Sequence, residues 1–164
     1  MEERHKPVMV SVIFLNVDEM KITLFETRNN AWDESFVFEG LGDEFSFYTE
    51  GTILFFDDSH EVECSVFLLE YYKELNRLLT RTLGLKSFQC ELVMQLSGAV
   101  LQLQKNPDMM SVKFQSGVSV EYSSADFYKF YFELKRALAK ELLTVYPSLK
   151  KTFEFNFLFD ANGI

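Results

Sequence analysis

Three turn signals, Ser97-Gly98, Asn106-Pro107 and Ser116-Gly117, cut the middle of this chain into four short runs: FQCELVMQL, GAVLQLQ, MSVKFQ and VSVEY. The runs are too short for self-supporting helices, and their alternating apolar and polar residues place the apolar set on one face of a strand. Gly- and Pro-containing turns between such runs join neighbours antiparallel. This stretch therefore predicts a four-stranded meander, and the rest of the chain must cover its apolar face.

The next segment, SSADFYKFYFELKRALAKELLTVYP, is built to cover it. Phe127, Phe130, Tyr131, Leu134, Leu138 and Leu142 recur at helical spacing. Ser123 or Ser124 stands in the N-cap position, Asp126 lies in the first turn, and Pro147 stops the helix. Phe127, Tyr128, Phe130, Tyr131 and Phe132 nearly encircle it, which predicts burial on more than one side.

Upstream, Val8 to about Asn16 reads as a strand, and KITLFET after VDEM as its hairpin partner. RNNAWDE is a polar loop carrying the single tryptophan, Trp32, and SFVFEG is a short strand. Phe45 and Phe47 alternate with Glu44, Ser46 and Tyr48, again a strand pattern, and Gly51 is expected to turn the chain into Thr52–Phe56. The segment from Asp57 to Gly84 begins with strand alternation (Val62, Cys64, Val66, Leu68) and continues with helical spacing (Leu68, Tyr71, Tyr72, Leu75, Leu78, Leu79, Thr82). We place a helix over about 65–82, with Gly84 as its stop. Lys73, Arg77 and Arg81 form one basic stripe on that helix. TFEFNFLFD closes the chain as a strand with Phe153, Phe155, Phe157 and Phe159 on one side.

The fold expected is α+β: mainly antiparallel sheet of about eight or nine strands, with two principal helices, about 65–82 and 124–145, packed on it. The 164 residues suit a single globular domain. YYKELNRLL (71–79) aligns without a gap on FYFELKRAL (130–138), which marks the halves 1–84 and 85–164 as candidates for an internal hairpin–helix duplication. A hydrophobic content of 48% with 18 Phe supplies a core without disulfides or metal. No apolar run reaches the ~18 residues of a spanning helix, and the N-terminal MEERHKPVMVSVIFL reads as a first strand, not a signal peptide. Cys64 and Cys90 match no metal or redox spacing and read as reduced, buried thiols of a cytoplasmic protein.

Charge is distributed unevenly. Residues 29–72 contain eleven carboxylates and no Lys or Arg, whereas the whole chain nets −9, so the remainder sums to +2. Nucleic acid and membrane surfaces need a basic footprint and are disfavoured; a partner with a basic surface is favoured. Alternation explains how the acids fit, on the outward positions of strands whose inward positions are Phe.

Motifs for chemistry are sparse. His5 and His60 are the only histidines, and no nucleophile elbow, phosphate-binding glycine loop or H-E-x-x-H occurs. Cys64 meets His60 only if the helix starts early. Asp57, Asp58, His60, Glu61 and Glu63 are dense enough to consider for a divalent cation, but they lack the spacing and glycine of a calcium loop, so no metal or cofactor is assigned.

The expectation is a non-catalytic acidic binding protein that recognises a protein partner with a basic surface, with inhibition of that partner as one form of the role. The partner-binding residues expected are Trp32, Glu34, Glu39, Asp43, Glu44, Glu50, Asp57, Asp58 and Glu61. In size, acidity and general character the chain resembles the immunity proteins that neutralise bacterial toxins and some phage-encoded inhibitors, a resemblance that carries no residues over. The alternatives are a small metal-dependent or hydrolytic enzyme around Asp57, Asp58, His60 and Glu61, and a structural oligomer using its aromatic helix faces.

Overall fold

The computed structural model describes residues 12–15, 21–23, 46, 49–145 and 147–159. In chain order the described elements are β1 (Val12–Leu15), β2 (Lys21–Thr23), β3 (Glu50–Phe56), β4 (Glu61–Phe67), α1 (Leu68–Arg81), β5 (Phe88–Met94), β6 (Ala99–Lys105), β7 (Met109–Phe114), β8 (Ser119–Ser123), α2 (Ser124–Val145), a 3-10 turn (Pro147–Lys151) and α3 (Phe153–Phe159). The α+β class holds. The described strands form two four-stranded sheets, ordered β2-β1-β3-β4 and β5-β6-β7-β8.

The second sheet is the antiparallel meander that its turns predict. Leu92 pairs with Leu101, Leu103 with Val112, and Val112 with Val120, so the inward positions of four strands coincide. Gly98 and Gly117 take φ +75° and +91° at the turns, the left-handed region that glycine enters without a Cβ penalty. Asn106 and Met109 exchange two backbone hydrogen bonds across the Pro107 turn.

The first sheet departs from a plain meander. β1 pairs antiparallel with β2 but parallel with β3, and β3 pairs antiparallel with β4. Gly51 lies inside β3, buried and opposite Val66, so it is no turn; the chain reverses at Asp57–His60. Phe45 and Phe47 lie outside the described residues, and Ser46 between them is helical, against the strand expected there.

Ser65–Phe67, assigned above to the helix, completes β4 instead. The strand alternation of Val62, Cys64 and Val66 persists because Glu50–Ile53 offers a ladder partner for each residue from Cys64 to Phe67. α1 then starts without a connector and buries Leu68, Leu69, Tyr71, Tyr72, Leu75, Leu78 and Leu79 on one side. α2 buries all six residues expected on its inner face; Phe132 stays exposed, so the aromatics do not wrap it in protein on every side.

The largest correction is at the C-terminus. Residues 153–159 are helical, not a strand. Alternating Phe residues at i, i+2, i+4 and i+6 contain two i, i+4 pairs, and in a helix each pair takes its own face. Phe155 and Phe159 are buried, whereas Phe153 and Phe157 point outward. Thr152 caps this turn, its Oγ1 accepting from the Phe155 N–H at 3.3 Å. Tyr72 anchors it: the phenol donates to the Leu158 carbonyl at 2.7 Å, and its ring stacks on Phe159 at 4.8 Å and on Tyr131 at 6.0 Å.

Buried residues of both described sheets and of α1, α2 and α3 belong to one hydrophobic cluster. Phe55 of β3 meets Phe114 of β7 edge-on at 5.2 Å, joining the two sheets through the core. No helix among the described residues is long and apolar enough to cross a membrane.

Candidate functional site

Of the expected partner-binding residues, Trp32, Glu34, Glu39, Asp43 and Glu44 lie outside the described residues. Glu50 opens β3, its backbone registered against Phe67. The remaining three, with Glu63, meet on the β3–β4 hairpin. Asp58 is exposed at its tip, and Glu61 and Glu63 are exposed on alternate positions of β4. Across the ladder they face Phe56 and Leu54, both half-buried, so the outer face of this hairpin is a mixed acidic and apolar surface.

Asp57 is different. Its Oδ1 accepts from the Ser59 and His60 N–H groups at 2.8 and 2.7 Å, which tightens the reversal as an Asx-type turn. Its Oδ2 accepts from the Glu121 N–H at 3.1 Å, tying the hairpin tip to β8. Burial raises the Asp57 carboxyl pKa, but the N–H donors of Ser59, Glu121 and His60, with the imidazole of His60, outweigh it and hold the group below its ordinary 3.8. Its side chain is only 18% exposed, so most of its hydrogen-bonding capacity is spent inside the fold.

Glu70, the last acid of the block, is also internal. It is 8% exposed on the first turn of α1 and accepts from the Leu96 N–H at 2.8 Å and the Ser97 N–H at 3.3 Å. Two members of the acidic block thus act as acceptors for backbone N–H groups of the second sheet. Sequence reasoning counted Glu70 among the acids without this role, because its donors lie 26 and 27 residues away.

The chemical alternatives gain no geometry. Among the described residues no group of three or more His, Cys, Asp or Glu side chains is arranged to hold a metal ion. With Ser65 in β4, His60 and Cys64 are four strand positions apart, about 13 Å, instead of one helical turn. His60 is exposed at the tip with its Nδ1 3.4 Å from Asp57; Cys64 is half-buried on the inner side, and burial pushes its thiol pKa up. Cys90 is likewise a half-buried free thiol.

A second surface was not anticipated. α1 and α3 flank a groove of about 810 Å³. Lys73, Arg77 and Arg81 line its α1 side, Lys135 of α2 joins them, and Phe153 and Phe157 line its α3 side. The two rings are 80% and 76% exposed and stack at 5.8 Å. Sequence reasoning found the basic stripe but not the aromatic wall, because a strand placed these rings with Phe155 and Phe159.

No known protein family, curated protein or solved structure matches this chain.

Proposed function

We propose that this protein is a non-catalytic binding module whose acidic block recognises a protein partner with a basic surface and acts by occupying it. The observation that carries this reading is the β3–β4 hairpin. Asp57 serves the turn, whereas Asp58, Glu61 and Glu63 remain exposed on the same hairpin, within a stretch of 44 residues that has no Lys or Arg to neutralise them. A surface of one sign attracts its partner over about a Debye length and raises the rate of encounter. Half-buried Phe56 and Leu54 beside the acids supply apolar contact area once the partner is seated.

The test compares wild type with Asp58→Asn/Glu61→Gln/Glu63→Gln. All three side chains are exposed, so the variant keeps its fold. At low salt, a basic protein retained from lysate by wild type alone is expected, and its association rate with purified wild type should fall with added salt. Equal retention by both proteins, or an association rate indifferent to salt and to the amides, would falsify the electrostatic reading.

A further inference from the structure

We propose that the groove between α1 and α3 is a docking site for an extended acidic segment of a partner polypeptide. The segment's alternate carboxylates would lie along Lys73, Arg77 and Arg81, and its apolar side chains against Phe153 and Phe157. This is a second site, of opposite sign to the acidic hairpin and on different elements, and it does not depend on the hairpin's role.

The spacing carries the argument. Lys73, Arg77 and Arg81 follow one another at four-residue steps, about 6 Å along the α1 axis. Alternate side chains of an extended strand recur every ~6.7 Å on one face, with the intervening ones on the other. An alternating acidic and apolar segment therefore places a carboxylate at each basic residue while its apolar side chains are free to turn to the opposite wall. Phe153 and Phe157 are four residues apart on α3 and stacked at 5.8 Å, so they form a continuous apolar wall. Lys135 adds a further cation, and among the described residues of the lining Glu154 is the one acid. The volume, about 810 Å³, is within the range of small-molecule pockets. A second copy of this chain carries a row of similar spacing, Glu61 and Glu63 on β4, but at a net charge of −9 two copies repel.

The probe is a fluorescein-labelled synthetic peptide containing Glu-Leu-Glu-Leu-Glu, with an all-Gln counterpart. Titrated at low salt into isotopically labelled wild type, it should shift backbone amides of residues 73–81 and 153–158. By anisotropy, Arg77→Glu/Arg81→Glu and, separately, Phe153→Ser/Phe157→Ser should each bind about tenfold more weakly. The Gln peptide should not bind, and Asp58→Asn/Glu61→Gln/Glu63→Gln should bind as wild type does. No binding to wild type, shifts mapping elsewhere, or equal affinity in both groove variants overturns the proposal. So does a concentration-dependent dimer in sedimentation that Arg77→Glu/Arg81→Glu abolishes, because the groove would then belong to a second copy. The mapping uses wild type alone, so it decides the matter even where a variant fails to fold.

Discussion

The β3–β4–α1 and β7–β8–α2 units both run from a hairpin directly into a helix, but they secure the first turn of that helix differently. In α2 the cap is local: Ser123 Oγ accepts from the Asp126 N–H at 3.1 Å, three residues on. In α1 the residue before the helix is Phe67, which has no capping side chain. The donor is met from a distance. Thr49 Oγ1 accepts from the Leu69 N–H at 3.0 Å and donates to the Ser46 carbonyl at 2.7 Å. Glu70, beside it, reaches the turn between β5 and β6. At the aligned position of α2 stands Lys129, exposed. One helix start is thus complete within its own segment, and the other is completed by tertiary contacts. The helix bodies nevertheless match: aligned Tyr72 and Tyr131 stack, and the aligned pairs Arg77–Glu74 and Arg136–Glu133 are both i, i+3 contacts, at 3.3 and 3.6 Å.

If that contrast is right, substitutions at the two helix starts should have unequal effects. The largest loss is expected for Glu70→Ala, which removes the acceptor of two part-buried N–H groups and should destabilise by about 1.5–3 kcal/mol in urea unfolding. Glu70→Gln retains one carbonyl acceptor and should lose less, while Lys129→Ala should stay within about 0.5 kcal/mol of wild type. A Glu70→Ala effect no larger than that of Lys129→Ala would remove the distinction.

Next come the caps. Thr49→Ala and Ser123→Ala should each lower stability by about 1–2 kcal/mol. They should separate by rescue: Ser123→Asp restores its helix because the cap needs only a local acceptor, whereas Thr49→Asp fails because the hydroxyl must also donate to Ser46. Amide exchange at Leu69 should quicken only in the Thr49 variants.

The hairpin turns give smaller effects. Gly117→Ala should lose about 1 kcal/mol, from the positive φ alone, since a Cβ there meets no atom within 4 Å. Asp57→Asn should lose about 0.5–1 kcal/mol at neutral pH. The Asp57 carboxyl is held below 3.8 in the folded protein, so its stabilisation is present above that pH and fades as pH falls through the lowered folded value. The gap between wild type and Asp57→Asn in chemical denaturation should therefore narrow in strong acid. A gap that widens there would reverse the sign assigned to this carboxyl.

How much of this was visible beforehand follows the range of the determining interactions. The meander, its three turns, the inner faces of both helices and a serine cap at 123 or 124 were legible because each is decided within a few residues, by side-chain period, by glycine at positive φ or by an adjacent hydroxyl. The exposed acids of β4 were legible in the same way, from alternation. The internal tasks of Asp57 and Glu70 were not, since their distant donors are backbone N–H groups, which every residue except proline carries and no sequence pattern marks.

Two segments show where local pattern stops deciding. Ser65–Phe67 satisfies a strand and a helix alike, and the ladder opposite Glu50–Thr52 selects the strand. The Phe row at 153–159 satisfies both as well, and the buried Tyr72 ring, itself stacked on Tyr131, offers a platform to Phe159 of one i, i+4 pair, so it becomes a helix. That choice turns Phe153 and Phe157 outward and, with the stripe on α1, creates the groove. By itself the sequence determined the period of each segment and hence which faces are apolar. Tertiary structure decided which of two compatible periods each ambiguous segment adopts, because the free energy separating them lies in the partner surface and not in the segment.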